Sequence, residues 1–184
     1  NLDTMSVRSC YPESKRMCEN LCTSYFYEYG VPCRVIRLTQ TFGSGVQYND
    51  GRVFAEFARC VIENRDIKLN TAGNTKRNYL YTIDAVMAII IVLLKGENGE
   101  AYNAANEETY CSIYEMACMV AERIANNQIK VYRNNEDNLS EFGYAPTLKM
   151  NLDTQKLQKL GWNSTRNLMQ MFEIMIQGMI KRNL

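Results

Sequence analysis

Short β-branched runs alternate with helical-period segments along this chain, and that alternation restricts it to an α/β fold more firmly than any other feature. Residues 12–29 suit a helix, with Pro12 in the first turn, apolar Met17, Leu21 and Tyr25 along it, and Gly30 as the stop. Residues 31–38 then read as a strand, and the turn residues of 39–51 predict a loop. In 52–64, Val53, Phe54, Phe57, Val61 and Ile62 recur at helical spacing and lead into a short strand at 67–69. Residues 79–82 read as extended. Asp84 is expected to cap an apolar helix over 84–94, which Gly96 and Gly99 close. Strands at 101–104 and 129–132 flank a helix over 112–125, 134–144 is polar and irregular, and helices over 154–160 and 165–181 finish the chain.

The 184 residues, 46% of them hydrophobic, suffice for a real core. A formal charge of +1 without any long Lys/Arg run argues against nucleic-acid and membrane-surface partners, so the expected partner is small. The longest apolar run, 85–94, is about half of the ~20 residues that span a bilayer. A soluble chain is expected. Seven cysteines in a chain of this size fit a reducing compartment, with the cytoplasm as the default, and Cys18 and Cys22 are expected to be buried thiols. With no histidine and no C-x-x-C, no metal site is expected, and Ser-His-Asp and Cys-His nucleophile schemes are excluded. No glycine-rich phosphate loop occurs. The chain begins Asn1-Leu2-Asp3, without an initiator Met or a leader, and reads as a fragment.

Tyr11 and Lys15 are four apart, so on a helix beginning near Pro12 they share a face. A phenol is a poor base at neutral pH, and a cation within about 4–6 Å favours the phenolate. The pair is common by chance, and on its own equally fits a solvated helix start.

Its surroundings carry a resemblance. The run Arg8-Ser9-Cys10-Tyr11-Pro12-Glu13-Ser14-Lys15-Arg16 resembles the Y-x-x-x-K segment of the extended short-chain dehydrogenase/reductases, the NAD-dependent epimerase/dehydratase family. Tyr25, the segment Arg37-Leu38-Thr39-Gln40-Thr41-Phe42-Gly43, the string Asn49-Asp50-Gly51-Arg52-Val53 and Gly73-Asn74-Thr75-Lys76-Arg77 follow in the order seen in UDP-glucuronate decarboxylases. Tyr81, Asp84, Asn103 and Leu160-Gly161-Trp162 extend the similarity over nearly the whole chain.

The resemblance implies a Rossmann-like enzyme acting on nucleoside-diphosphate sugars with NAD. Residues 1–45 would end the Rossmann part, 46–184 would form mainly the substrate-binding part, and the upstream glycine-loop half would be absent. By resemblance Tyr11 is the base that takes a sugar hydroxyl proton while hydride passes to NAD. Lys15 holds the nicotinamide ribose and lowers the tyrosine pKa, and Thr41 lies near the nicotinamide. Tyr25, Gln40, Arg52 and Arg77 would bind substrate, the guanidiniums facing the diphosphate, whose oxygens their planar fork matches. The sequence departs from the family's pattern at Gln40, where Asn is usual, and at Ser44, where Pro is common.

The implied reaction passes through a 4-keto sugar, most like UDP-glucuronate decarboxylase. A dTDP-glucose 4,6-dehydratase and a sugar 4-epimerase share that first step. A non-catalytic binding or dimerisation module is the reading from another class. The family implies a homodimer for the intact enzyme and predicts no redox chemistry for this chain without the upstream half. A sheet cut in mid-order would also expose an edge and an apolar patch and favour self-association.

Overall fold

The computed structural model describes residues 3–6, 9–134 and 147–183. Helix α1 (Cys10–Tyr29) starts one turn-half earlier than its proline suggested, and Gly30 ends it at a left-handed φ of 68°, where its N–H reaches the Phe26 carbonyl. Strand β1 (Val35–Leu38) follows, and β2 (Gln40–Phe42) lies inside the stretch expected to be a loop. Next come α2 (Val53–Ile62), β3 (Ile67–Leu69), β4 (Lys76–Tyr81) and α3 (Thr82–Lys95). Then come β5 (Ala101–Ala104), β6 (Asn106–Ser112), α4 (Ile113–Met119) with a π-turn at Val120–Ile124, and β7 (Val131–Arg133). Beyond the undescribed stretch lie β8 (Lys149–Met150), α5 (Gln155–Gln158) and α6 (Leu168–Asn183). From residue 135 on, the irregular stretch expected at 134–144 falls outside the described residues.

The strands of the described residues fall into three separate sheets. β1 runs parallel to β5, β3 parallel to β7, and β4 sits between parallel β2 and antiparallel β6, with β8 added parallel at its first two residues. The polar strand β6, which periodicity did not reveal, ends in Ser112. There the Ser112 hydroxyl accepts from the Glu115 N–H at 3.0 Å while Glu115 accepts from the Ser112 N–H at 2.6 Å, a reciprocal cap that converts strand into helix.

Two apolar cores result. The larger packs α2, α4 and α6 against β2 and β4 around Phe42, whose ring stacks on Phe54 at 4.5 Å and meets Phe172 edge-on at 5.2 Å. The smaller gathers Leu80, Ala85, Ala88, Val92, Tyr102, Leu157 and Trp162 from β4, α3, β5 and the segment around α5. Helix α6 grips the loop after β2. Arg182 donates to the Ser44 and Val46 carbonyls, and Gly178 is needed because a Cβ there would run into the Ser44 backbone.

Two expectations are corrected here. Asp84 does not cap its own helix. α3 begins earlier, at Thr82, and the buried Asp84 carboxylate accepts from the Thr165 N–H at 2.8 Å and the Thr165 hydroxyl at 2.7 Å. The Trp162 indole donates to the Asp84 carbonyl at 2.9 Å, so this residue ties the segment before α6 to α3. The expected burial of the α1 thiols also fails. Cys18 is exposed, Cys22 half-buried, and α1 buries no residue at all. Burial raises the Cys60 thiol to about 11, which leaves it protonated and a poor nucleophile. Alkylation of the folded chain, read by peptide mass mapping, is expected to modify Cys10 and Cys18 first and Cys60 last.

Met17, Leu21 and Tyr25 are exposed on α1, as are Ile83, Val86, Met87, Leu93 and Leu94 on α3. Among the described residues β1 pairs only with β5. No helix among the described residues is long and apolar enough to cross a membrane.

Candidate functional site

Two clefts hold three of the residues that sequence singled out, Arg77 in one and Tyr11 with Lys15 in the other. The first, of about 430 Å³, opens between the start of α2, the segment from β3 to β4, and the end of β6. Its walls include Gly51, Val53 and Glu56 on one side, Lys68, Asn74, Thr75 and Arg77 on the other, and Ile113 and Thr147. The shape follows from local chemistry. Gly73 turns the segment with φ of 70°, and a Cβ there would stand 3.0 Å from the Tyr114 N, so only glycine lets the turn lie this close to α4. Strand β4 slips register against β6 between Arg77 and Tyr79, a bulge of the kind that re-aims side chains. At that bulge the buried Asn78 amide donates to Asn151 Oδ1 at 2.9 Å and accepts from the Leu152 N–H at 2.8 Å, which fixes β4 to the chain beyond β8.

Arg77 is half-buried and lines the cleft, and its guanidinium makes no hydrogen bond or ion pair among the described residues. Most arginines here are engaged. Arg37 holds Glu19, Arg59 and Arg65 hold Glu56, and Arg34 donates to the Gly96 carbonyl. A guanidinium without a partner retains its full capacity to donate to an anion. Lys68 adds a second cation. The strand alternation of buried Ile67, exposed Lys68 and buried Leu69 was the signal that could have found it.

Arg52, expected to face the same ligand, is placed differently. Gly51 and Val53 line the cleft, but the Arg52 guanidinium is turned to Asp50, donating at 2.6 and 3.0 Å, and lies 4.7 Å over the Phe54 ring. Hydrogen bonding from Arg52 holds the Asp50 carboxyl below its usual range. Gln40 and Thr41 sit in β2 opposite Tyr79 and Leu80. Thr41 donates to the Thr39 carbonyl at 3.0 Å. Gln40 Oε1 and the Tyr79 hydroxyl are buried without a hydrogen-bond partner among the described residues.

The second cleft, of about 550 Å³, lies between α1 and β1 and holds Tyr11 and Lys15 together with Glu19, Cys22, Arg34 and Arg37. The helix spacing brings the Lys15 ammonium to 5.5 Å from the Tyr11 ring centroid. Across the cleft Arg37 clasps Glu19 at 2.5 and 2.8 Å, which joins α1 to β1 and keeps the Glu19 carboxyl below its usual range. Thr41 does not line this cleft, and Tyr25 lines neither, its ring resting 5.5 Å from that of Tyr29. The structure thus joins Tyr11 with Lys15, puts Arg77 and the sequence neighbours of Arg52 in the other cleft, and leaves Tyr25, Gln40 and Thr41 outside both.

The α/β fold, the parallel β1–β5 pairing and a helix presenting a tyrosine and a lysine one turn apart agree with the resemblance to the short-chain dehydrogenases. Residues 2–105 match the model of the NAD dependent epimerase/dehydratase family, and the chain belongs to that family. UDP-glucuronic acid decarboxylase 5 of Arabidopsis thaliana is 28% identical over 163 residues, 88% of this chain and 45% of that one. The chain spans less than half the length of the curated relatives it matches. Among solved structures, UDP-glucose 4-epimerase with UDP-glucose from Thermotoga maritima superposes with a TM-score of 0.78 at 19% identity, covering 95% of this chain and 54% of that one. dTDP-glucose 4,6-dehydratase from Bacillus anthracis in complex with NAD gives 0.76 at 19% identity, covering 97% and 54%. These two likenesses show the fold.

Proposed function

We propose that this chain is the nucleotide-sugar-binding portion of an NAD-dependent enzyme that works through a 4-keto sugar, most like a UDP-glucuronate decarboxylase. The observation that carries the reading is Arg77 in the wall of the first cleft with Lys68, its guanidinium without a partner among the described residues. A diphosphate would take both cations, and the amide and hydroxyl groups of Asn74 and Thr75 supply donors and acceptors for the rest of the nucleotide. Gln40, with its buried free acceptor, is the remaining polar group we assign to substrate, and Tyr25 is assigned there by resemblance alone.

NAD fits the second cleft in part. The Tyr11 hydroxyl and the Lys15 ammonium offer the donors that ribose hydroxyls accept from, and bound NAD would supply the hydride acceptor for oxidising a sugar hydroxyl. Tyr11 would take the hydroxyl proton in that step, with Lys15 holding the cofactor's ribose and Thr41 near its nicotinamide. The chain holds no glycine-rich loop for the pyrophosphate, so NAD affinity from these residues alone is expected to be weak.

We assign residues 1–45 to the end of the Rossmann part and 46–184 mainly to the substrate part. α3 and β5 return to pack with β1. The whole enzyme is proposed to be a cytoplasmic homodimer, for which the exposed apolar side chains Met17, Leu21 and Tyr25 of α1 supply a face. Calorimetric titration with UDP, dTDP, CDP and NAD tests the reading. One nucleoside diphosphate should bind with micromolar to millimolar affinity and NAD more weakly, whereas a folded chain that binds none of them favours a non-catalytic module.

A further inference from the structure

We propose that Asp50 is a positioning residue for the nucleotide cleft, a built-in counter-ion that keeps Arg52 turned aside until a ligand phosphate displaces it. The inference rests on the reading of the first cleft as a nucleoside-diphosphate site. Arg52 is the N-cap of α2, with both sequence neighbours in the cleft wall, so rotation of its side chain alone carries the guanidinium toward the cleft. The two members of the pair differ in freedom. The Asp50 side chain is only 16% exposed and its backbone carbonyl accepts from Arg59 at 2.8 Å, while the Arg52 side chain is 50% exposed. The carboxylate is therefore the fixed post and the guanidinium the movable arm.

The exchange is chemically even. Arg52 gives Asp50 two parallel N–H donors, and a diphosphate offers the same fork-to-oxygen geometry with more negative charge. Asp50 Oδ1 also accepts from the Arg52 backbone N–H at 2.9 Å, a bond that does not depend on where the guanidinium lies. Glu56, the carboxylate that lines the cleft, is held by Arg59 at 2.6 Å and Arg65 at 2.9 Å and is neutralised there. Lys68 and Arg77 receive the anion first, and Arg52 closes on it from the α2 side. Asp50 thereby lowers affinity and makes Arg52 engagement conditional on a ligand that carries phosphate.

The test is calorimetric titration of the native chain, Asp50→Asn, Asp50→Glu, Arg52→Ala and the double variant Asp50→Asn/Arg52→Ala with UDP and with uridine. Asn keeps the acceptor for the Arg52 N–H and removes the charge, so it is expected to tighten UDP binding by about threefold to fivefold, the scale of one partly exposed ion pair. Asp50→Glu should stay near native, uridine affinity should not move, and the gain should vanish in the double variant. Asp50→Asn binding UDP no more tightly than the native chain, or gaining equally for uridine, overturns the proposal while leaving the cleft assignment intact. A native chain that binds no nucleoside diphosphate overturns both.

Discussion

Replacing Arg77 with alanine is expected to weaken binding of the preferred nucleoside diphosphate by about tenfold to a hundredfold, the range of a lost charge-assisted hydrogen-bond pair of roughly 1.5–3 kcal/mol. The effect should be large because the guanidinium is already partly desolvated and has no partner among the described residues, so the ligand need not break an existing ion pair to reach it. Arg77→Lys restores charge without the planar fork and should fall between native and alanine. The fold should tolerate both changes, since the side chain makes no hydrogen bond or ion pair among the described residues. A calorimetric titration in which Arg77→Ala binds as well as the native chain would remove the anion from this wall of the cleft.

Phe42→Ala is expected to cost about 3–5 kcal/mol of stability, measured by urea unfolding. Its ring is 1% exposed and contacts Phe54, Tyr79 and Phe172, so truncation opens a cavity where β2, α2, β4 and α6 meet. These rings come from distant parts of the chain and none can collapse inward without moving its helix. A loss below about 1 kcal/mol would mean that the four elements are not joined through this residue.

How much of this was legible depended on whether the cause was local. Helix α1 was readable from Pro12 and Gly30, because such signals act over one helical turn. Strand β2 was not, since Gln40, Thr41 and Phe42 are only three residues among turn formers and become a strand by pairing with Tyr79, Leu80 and Tyr81 far along the chain. Asp84 looked like a cap because it precedes an apolar run. The helix starting two residues earlier freed its carboxylate for Thr165. The Cys18 and Cys22 thiols were misjudged because burial of a helix face depends on what is laid against it, and among the described residues α1 has none that is fully buried.

The site shows the same division. Residue type and spacing sufficed to bring Tyr11 and Lys15 together, since both lie on one helix. For the two arginines residue type marked the chemistry but not the outcome. Arg77 enters the cleft at a β4 bulge set by pairing with β6, and Arg52 is claimed by a carboxylate two residues away that the motif itself contains. Lys68 and Asn78 went unnoticed, the first in a strand of three residues, the second because its role is to hold a segment more than seventy residues distant.

The most direct test of the central claim is a two-dimensional amide NMR titration of the chain with UDP. If the first cleft holds the diphosphate, the amides of Gly51, Val53 and Glu56 and those from Lys68 to Arg77 should shift together with one saturation curve, while α1 stays still. Shifts confined to α1 and β1, or none at millimolar UDP on a dispersed spectrum, would contradict it.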